Sequence, residues 1–219
     1  GRVVVQDAER AKIHYRDTAV AEGYDEARWG GVRAPRNWMM KRAVRRALRW
    51  TGAATILDAP CGTGRLTEPL ARAGWAVVGA DISGEMLDVA HRRTQGVRGA
   101  MGFLRTDLER PGVVPGAVDA ALCIRFLNLL EPDRQPPILA ALLETGGGTL
   151  VMDWRTPYAF NHLSRSVRAR LGLRSGDLPT ARTRADLDAL AAGLGARVAK
   201  IVRVCPLLSA QWVVVLRRV

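Results

Sequence analysis

Lysine is nearly absent from this chain. Of its 33 cations only Lys12, Lys41 and Lys200 are lysines; the rest are arginines spread along the whole length. A net charge of +12 invites a polyanionic partner, but so even a spread argues against a dedicated nucleic-acid surface without excluding one. Two local clusters, Arg42/Arg45/Arg46/Arg49 and Arg165/Arg168/Arg170/Arg174, read as solvated helix faces, with an anionic partner or substrate as the other reading. Cysteine is scarce as well. Cys61, Cys123 and Cys205 are odd in number, widely spaced and without a Cys-x-x-Cys pair. That argues against a disulfide framework and a zinc site, and for a reducing, cytoplasmic setting. Each lies in or beside an apolar run and is expected to be a small buried residue. No apolar run approaches the ~18 residues of a membrane span, so no membrane association is expected, and no apolar leader is read at the amino terminus. The 219 residues, 48% hydrophobic and 25% charged, suit one soluble globular unit stable without metals or cross-links.

What is present is an alternation of short apolar runs and helical patterns. Strands are expected at 54–60, 75–81, 101–106, 118–124 and 148–153, and helices at 63–73, 84–94, 133–144 and 157–171. Such alternation predicts a parallel sheet covered on both faces. The end of the chain breaks the rhythm. A helix at 182–194, capped by Thr183, precedes two β-rich runs, Val198–Cys205 and Gln211–Leu216. The five residues between these runs are too few for a helical crossover, so the runs should pair antiparallel. Upstream, residues 1–30 form an arm punctuated by Tyr15, Tyr24 and Trp29. Residues 37–50 read as an amphipathic helix with Trp38, Met39, Ala43, Leu48 and Trp50 on its apolar side and Trp38 in the core. We expect residues 1–50 to form a helical cap and 51–219 the main domain.

The most informative run is Asp58-Ala59-Pro60-Cys61-Gly62-Thr63-Gly64, a strand end turning through small residues toward a helix. Glycine lets backbone approach a ligand, and an acid at the tip of the neighbouring strand, Asp81, can hold two ribose hydroxyls. Together they describe a site for a nucleoside-bearing cofactor. A dinucleotide fingerprint would need a third glycine where Thr67 stands, and the phosphate-binding Gly-Lys-Ser/Thr is missing.

The run resembles the Asp-x-Gly-x-Gly-x-Gly turn of class I S-adenosylmethionine-dependent methyltransferases, with Pro at the first glycine position as in their small-molecule branch. The resemblance continues in order through Val77–Ser83, Leu104–Leu108, Val118–Cys123 and Gly147–Asp153 to the closing hairpin. More loosely, Ala21-Glu22-Gly23-Tyr24-Asp25 resembles part of that family's N-terminal cap. It implies an α/β, Rossmann-like, seven-stranded and mostly parallel sheet with helices on both faces, the final strand antiparallel and the order 3-2-1-4-5-7-6. It implies S-adenosylmethionine as cofactor. Asp58, Pro60, Cys61, Gly62, Gly64 and Cys123 would bind the cofactor, the two glycines letting backbone approach its methionine part and ribose and Asp58 helping to hold the amino group. Asp81 would take the ribose hydroxyls, Ile82 and Met86 would sandwich the adenine, and Asp107 and the Leu108 N–H would meet its edge. Tyr24 would close over the site. Other readings stay open: Asp81 as a helix N-cap, Asp107 as a turn acid, Met86 as core.

Open α/β sheets bind ligands at the carboxyl edge of their strands, which makes Arg125, Asn128, Asp153 and His162 the candidates on the acceptor side. Relatives often carry His near position 128; Asn128 cannot serve as a base. Trp154, Arg155, Tyr158 and Phe160 could also meet an acceptor. The expected activity is methyl transfer to the oxygen, nitrogen or carbon of a small molecule, with no metal. The alternatives are an RNA or protein methyltransferase and a non-catalytic cofactor-binding partner protein. Against the first of these, neither an Asp/Asn-Pro-Pro-Tyr/Phe run nor a Pro-Cys pair follows the fourth strand.

Overall fold

Ile56 and Leu57, adjacent on a central strand, point to opposite faces and both are buried, so both faces are covered. A computed structural model of the chain describes residues 34–108, 114–156, 182–205 and 211–219. Its elements are α1 (Ala34–Thr51), β1 (Thr55–Asp58), α2 (Thr67–Ala71), β2 (Ala76–Asp81), α3 (Gly84–Thr94), β3 (Ala100–Arg105), β4 (Ala120–Cys123), α4 (Gln135–Thr145), β5 (Thr149–Arg155), α5 (Arg184–Gly193), β6 (Ala196–Arg203) and β7 (Gln211–Arg218). The strands form one sheet in the order β3-β2-β1-β4-β5-β7-β6, with β7 antiparallel to both β5 and β6. The expected order and the reversed closing strand are both found.

One face of the sheet packs Leu57, Leu150 and Met152 against Ile138, Leu139 and Leu142 of α4 and Leu187 of α5. The other packs Ile56, Leu122, Val151 and Val213 against Met40, Val44 and Leu48 of α1 and Leu70 of α2. The crossover helices put one buried stripe on each side, so central strands such as Ala120–Cys123 are buried at every position. Thr183 caps α5 in a reciprocal box with Asp186, as its position before the apolar stripe predicts.

Two expectations need correction. The stripe that α1 buries is Met40, Ala43, Val44, Ala47 and Leu48, while Trp38 is 59% and Trp50 42% exposed. Two residues turn a helix by about 200°, so with Met40 facing the sheet Trp38 faces water. There Arg42 lies over its ring at 5.5 Å, and Arg217 lies over Trp50 at 5.0 Å. Arg42, Arg46 and Arg49 are exposed, as a solvated face requires. The helix expected at 63–73 is also shorter: residues 62–66 are a chain of turns, and α2 begins only at Thr67. Cys61 and Cys123 are buried and Cys205 half-buried. The expected helix 157–171, the second arginine cluster and the arm with Tyr24 and Trp29 lie outside the described residues.

Candidate functional site

β1 ends at Asp58, and the chain is then stitched to both neighbouring strands. The Ala59 N–H donates to Leu122 O on β4 (2.9 Å) and the Cys61 N–H to Ala80 O on β2 (2.8 Å). Pro60 is half-buried at the bend between them. Gly62 follows with φ +53°, and a side chain added there would meet nothing within 4 Å, so the turn presents bare backbone to open space. Gly64 (φ +73°) faces the other way. A Cβ there would sit 3.0 Å from the Ala90 Cβ, so this glycine lets the turn seat against α3.

Asp81 closes β2 beside this turn. Its Oδ2 accepts the Gly62 N–H (2.8 Å) and its Oδ1 the Ser83 N–H (3.0 Å). It does not cap α3. Ser83 does, its hydroxyl accepting the Met86 N–H at 3.1 Å. A carboxylate offers about four lone-pair positions, and two amides leave the remainder for a ligand's hydroxyls. Asp58 is fully enclosed and accepts the Thr67 hydroxyl at 2.7 Å. Burial pushes its pKa up to about 6 against the Thr67 hydrogen bond and nearby Arg65, with Asp81 adding to the rise. Burial likewise raises Asp81, opposed by its amide donors. The thiols of Cys61 and Cys123 are pushed up by the same cause and stay neutral, Cys61 lining the turn and Cys123 the end of β4. Ile82 is half-buried and Met86 buried, one just before α3 and one in its first turn. Past β3, Asp107 is half-buried and Leu108 buried. The candidates from the first three strands therefore converge on one stretch of the carboxyl edge.

The second stretch lies beyond β4 and β5. Arg125 has φ +64°, a conformation side chains disfavour, and its N–H donates to Asp153 Oδ1 at 2.6 Å. The Gln211 side-chain amide donates to Asp153 Oδ2 (3.4 Å), and its Oε1 in turn accepts Arg36 Nη2 at 3.0 Å. Asp153 thus braces the loop after β4, its pKa raised by burial. Arg125 moves the opposite way, to about 9, first by burial and then by Arg65 and Arg36. Arg36, Arg65, Thr67 and Gln211 escaped the sequence reading; a polar residue opening the apolar run Trp212–Leu216 was the one available hint. Trp154 points to the other face, buried in the core with its Nε1 donating to Thr183 O, so it does not line this edge. Asn128 sits in a short 3-10 turn, Leu127–Leu129. His162 and Tyr24 lie outside the described residues, as do Tyr158 and Phe160. Among the described residues, no cluster of His, Cys, Asp and Glu could hold a metal, and no helix is long and apolar enough to cross a membrane.

Known proteins are similar to this chain in part of the sequence and in fold. Residues 56–147 match a family described as a methyltransferase domain. A demethylmenaquinone methyltransferase of Tropheryma whipplei is 28% identical over 160 residues, 72% of this chain and 65% of that protein. A ubiquinone biosynthesis O-methyltransferase of Coxiella burnetii is 31% identical over 93 residues, 42% of this chain and 40% of that protein. The chain spans between 24% and 65% of the length of the first curated relatives it matches. In fold, magnesium protoporphyrin IX methyltransferase from Synechocystis, solved with S-adenosylhomocysteine, superposes with a TM-score of 0.74 at 20% identity, covering 97% of this chain and all of that one. The matched segment holds the β1 turn, Asp81 and β4, the strand order is the one the motifs implied, and over this segment and in fold the chain is similar to class I S-adenosylmethionine-dependent methyltransferases.

Proposed function

We propose that this protein transfers a methyl group from S-adenosylmethionine to a small-molecule acceptor, with residues 51–219 as the catalytic domain and the segment before them as its cap. The observation that carries this reading is the pairing of a bare backbone turn at Gly62 with the Asp81 carboxylate at the tip of the adjacent strand. Those residues fit the cofactor. Open space at Gly62 admits a ligand against backbone, and a carboxylate held by two amides is fixed in place for ribose hydroxyls. Asp58 would face the amino group, where a cation would favour its ionised form against burial. Ile82 and Met86 would flank the adenine, with Asp107 and the Leu108 N–H at its edge. Pro60, Cys61, Gly64 and Cys123 shape the walls, and Tyr24 would cover the site.

When bound, the cofactor supplies an electrophilic methyl on a sulfonium, already a good leaving group. The protein's task is then alignment, and holding the reactants in line can supply up to roughly 7–11 kcal/mol. Asp153 serves as a positioning residue: it fixes the Arg125 backbone and so the shape of the loop after β4. Calorimetry with S-adenosylmethionine and S-adenosylhomocysteine tests the reading, with a nicotinamide dinucleotide as the counter-ligand. Binding of the first two and not the third is expected; tight nicotinamide binding without either would overturn it. Product formed from a panel of small acceptors separates the enzyme from a non-catalytic cofactor-binding protein.

A further inference from the structure

Arg93 stands behind the turn that follows β1. It lies half-buried in the last turn of α3. Its Nη1 donates to the Thr63 carbonyl oxygen at 2.8 Å and to the Thr63 hydroxyl at 3.3 Å. Thr63 is itself buried, so the arginine holds an enclosed link of the turn, while Gly62 beside it borders open space. Ala90 and Arg93 are three positions apart and share one face of α3. Ala90 is the residue against which Gly64 seats. Helical side chains lean toward the helix amino terminus, so an arginine just past Ala90 comes back over that contact to reach the turn.

Peptide units are planar, and two of those in the turn are held at both ends. The unit joining Cys61 to Gly62 accepts the Gly64 N–H at 3.1 Å and donates its own N–H to Asp81 at 2.8 Å. The unit joining Thr63 to Gly64 donates its N–H to Cys61 O and accepts Arg93 at its oxygen. The unit between them, Gly62–Thr63, is the backbone beside the open space, and the pinned planes on either side set how it faces. Asp81 supplies one pin and Arg93 the other. With glycines at φ +53° and +73°, the turn has other conformations open to it once a pin is lost.

We propose that Arg93 is a positioning residue for the cofactor. It acts through Thr63, fixing the backbone turn that meets the methionine end of S-adenosylmethionine. The nucleoside end belongs to Asp81, Ile82, Met86 and Leu108, and Asp81 keeps its Ser83 amide whether or not Arg93 is present. The inference deepens the cofactor reading above and rests on it.

The test is calorimetry with two ligands. One is S-adenosylhomocysteine; the other is methylthioadenosine, which keeps the nucleoside and the sulfur but lacks the amino-acid chain. Wild type is expected to bind both. Arg93→Gln should weaken S-adenosylhomocysteine about ten-fold, the scale of a lost charge-assisted hydrogen bond, and methylthioadenosine by less than about twofold. Arg93→Lys keeps a cationic donor and should recover part of that loss, whereas Arg98→Gln, exposed before β3, should change neither affinity. Thermal unfolding of each free variant reports its folding. Should Arg93→Gln fail to fold, Arg93→Lys must still weaken S-adenosylhomocysteine more than methylthioadenosine. Unchanged S-adenosylhomocysteine affinity in the folded variant, or equal losses for the two ligands, would overturn the proposal and leave Arg93 a support of the fold alone. Wild type that binds neither ligand would overturn the cofactor reading itself and this inference with it, so the two failures are told apart.

Discussion

The two acids at the ends of β1 and β2 are held by contacts between residues close in sequence, whereas Asp153 beyond β4 and β5 is held in a chain of contacts that reaches the opposite end of the protein. Asp58 meets Thr67 nine positions on, and Asp81 meets Gly62 nineteen positions back. On the far side Arg125 meets Asp153 across 28 positions, Gln211 meets Asp153 across 58 and Arg36 meets Gln211 across 175. The near stretch is acidic and bound largely through backbone amides; the far one is basic and built from side chains. A site made of backbone and near neighbours is specified by a short motif and suits a cofactor common to a family. A site made of distant side chains changes with single substitutions, which suits the acceptor side of the proposed function.

The largest expected effect breaks the near stretch by pH. Asp58 is fully buried and its folded pKa is raised from 3.8 to about 6. A raised carboxyl favours folding while protonated, so its contribution is complete below about pH 4 and is lost as pH rises through about 6. At roughly 1.4 kcal/mol per pKa unit the swing is about 3 kcal/mol. Denaturation of wild type and Asp58→Asn between pH 4 and 7 should show wild type losing stability relative to the variant over that window. Affinity for S-adenosylhomocysteine should rise over the same window in wild type and stay flat in Asp58→Asn, because the ligand's ammonium favours the ionised acid. A wild-type stability curve parallel to that of the variant would remove Asp58 from this account.

Asp81→Ala should follow, with a loss of S-adenosylhomocysteine affinity on the order of 1.5–3 kcal/mol, as for a charged hydrogen bond left unmade. Thermal unfolding of the free variant monitors the separate cost of freeing the Gly62 and Ser83 amides. Unchanged affinity in the folded variant would defeat the ribose role. Gln211→Ala should act on the far stretch alone. It strips a buried bridge between Arg36 and Asp153, at about 1–2 kcal/mol of stability, while S-adenosylhomocysteine affinity holds within about twofold. A parallel fall in cofactor affinity would mean that the two stretches are one site.

The same contrast explains what could be read from the chain. The motif turn, Asp81, the α3 bounds at Gly84–Thr94 and the Thr183 cap are local signals, and each is visible in a window of a few residues. The strand order followed from the family resemblance those windows carry. Trp38 was misplaced because two tryptophans outweighed the true helical phase through Met40, Val44 and Leu48. The late start of α2 escaped because five residues of turn carry the same small and polar types as a helix start. Arg36 carries no local signal and Gln211 only its polarity at the head of an apolar run, since only the antiparallel return of β7 brings residue 211 beside Arg155.

The first turn of α1 is where the two stretches touch, and it supports the smallest prediction. Arg36 reaches Gln211 on the far side, while Asn37 accepts Arg65 Nη1 at 2.5 Å on the near side. Neighbouring helical residues point about 100° apart, so one turn can hold both. Asn37→Ala removes one half-buried hydrogen bond and should cost about 0.5–1 kcal/mol. If α1 ties the stretches together, the loss in Asn37→Ala/Gln211→Ala should differ from the sum of the single losses by more than about 0.5 kcal/mol, since residues sharing one element couple. Losses that add within about 0.3 kcal/mol would mean that the helix merely covers both, leaving the acceptor side free to change without disturbing the cofactor turn.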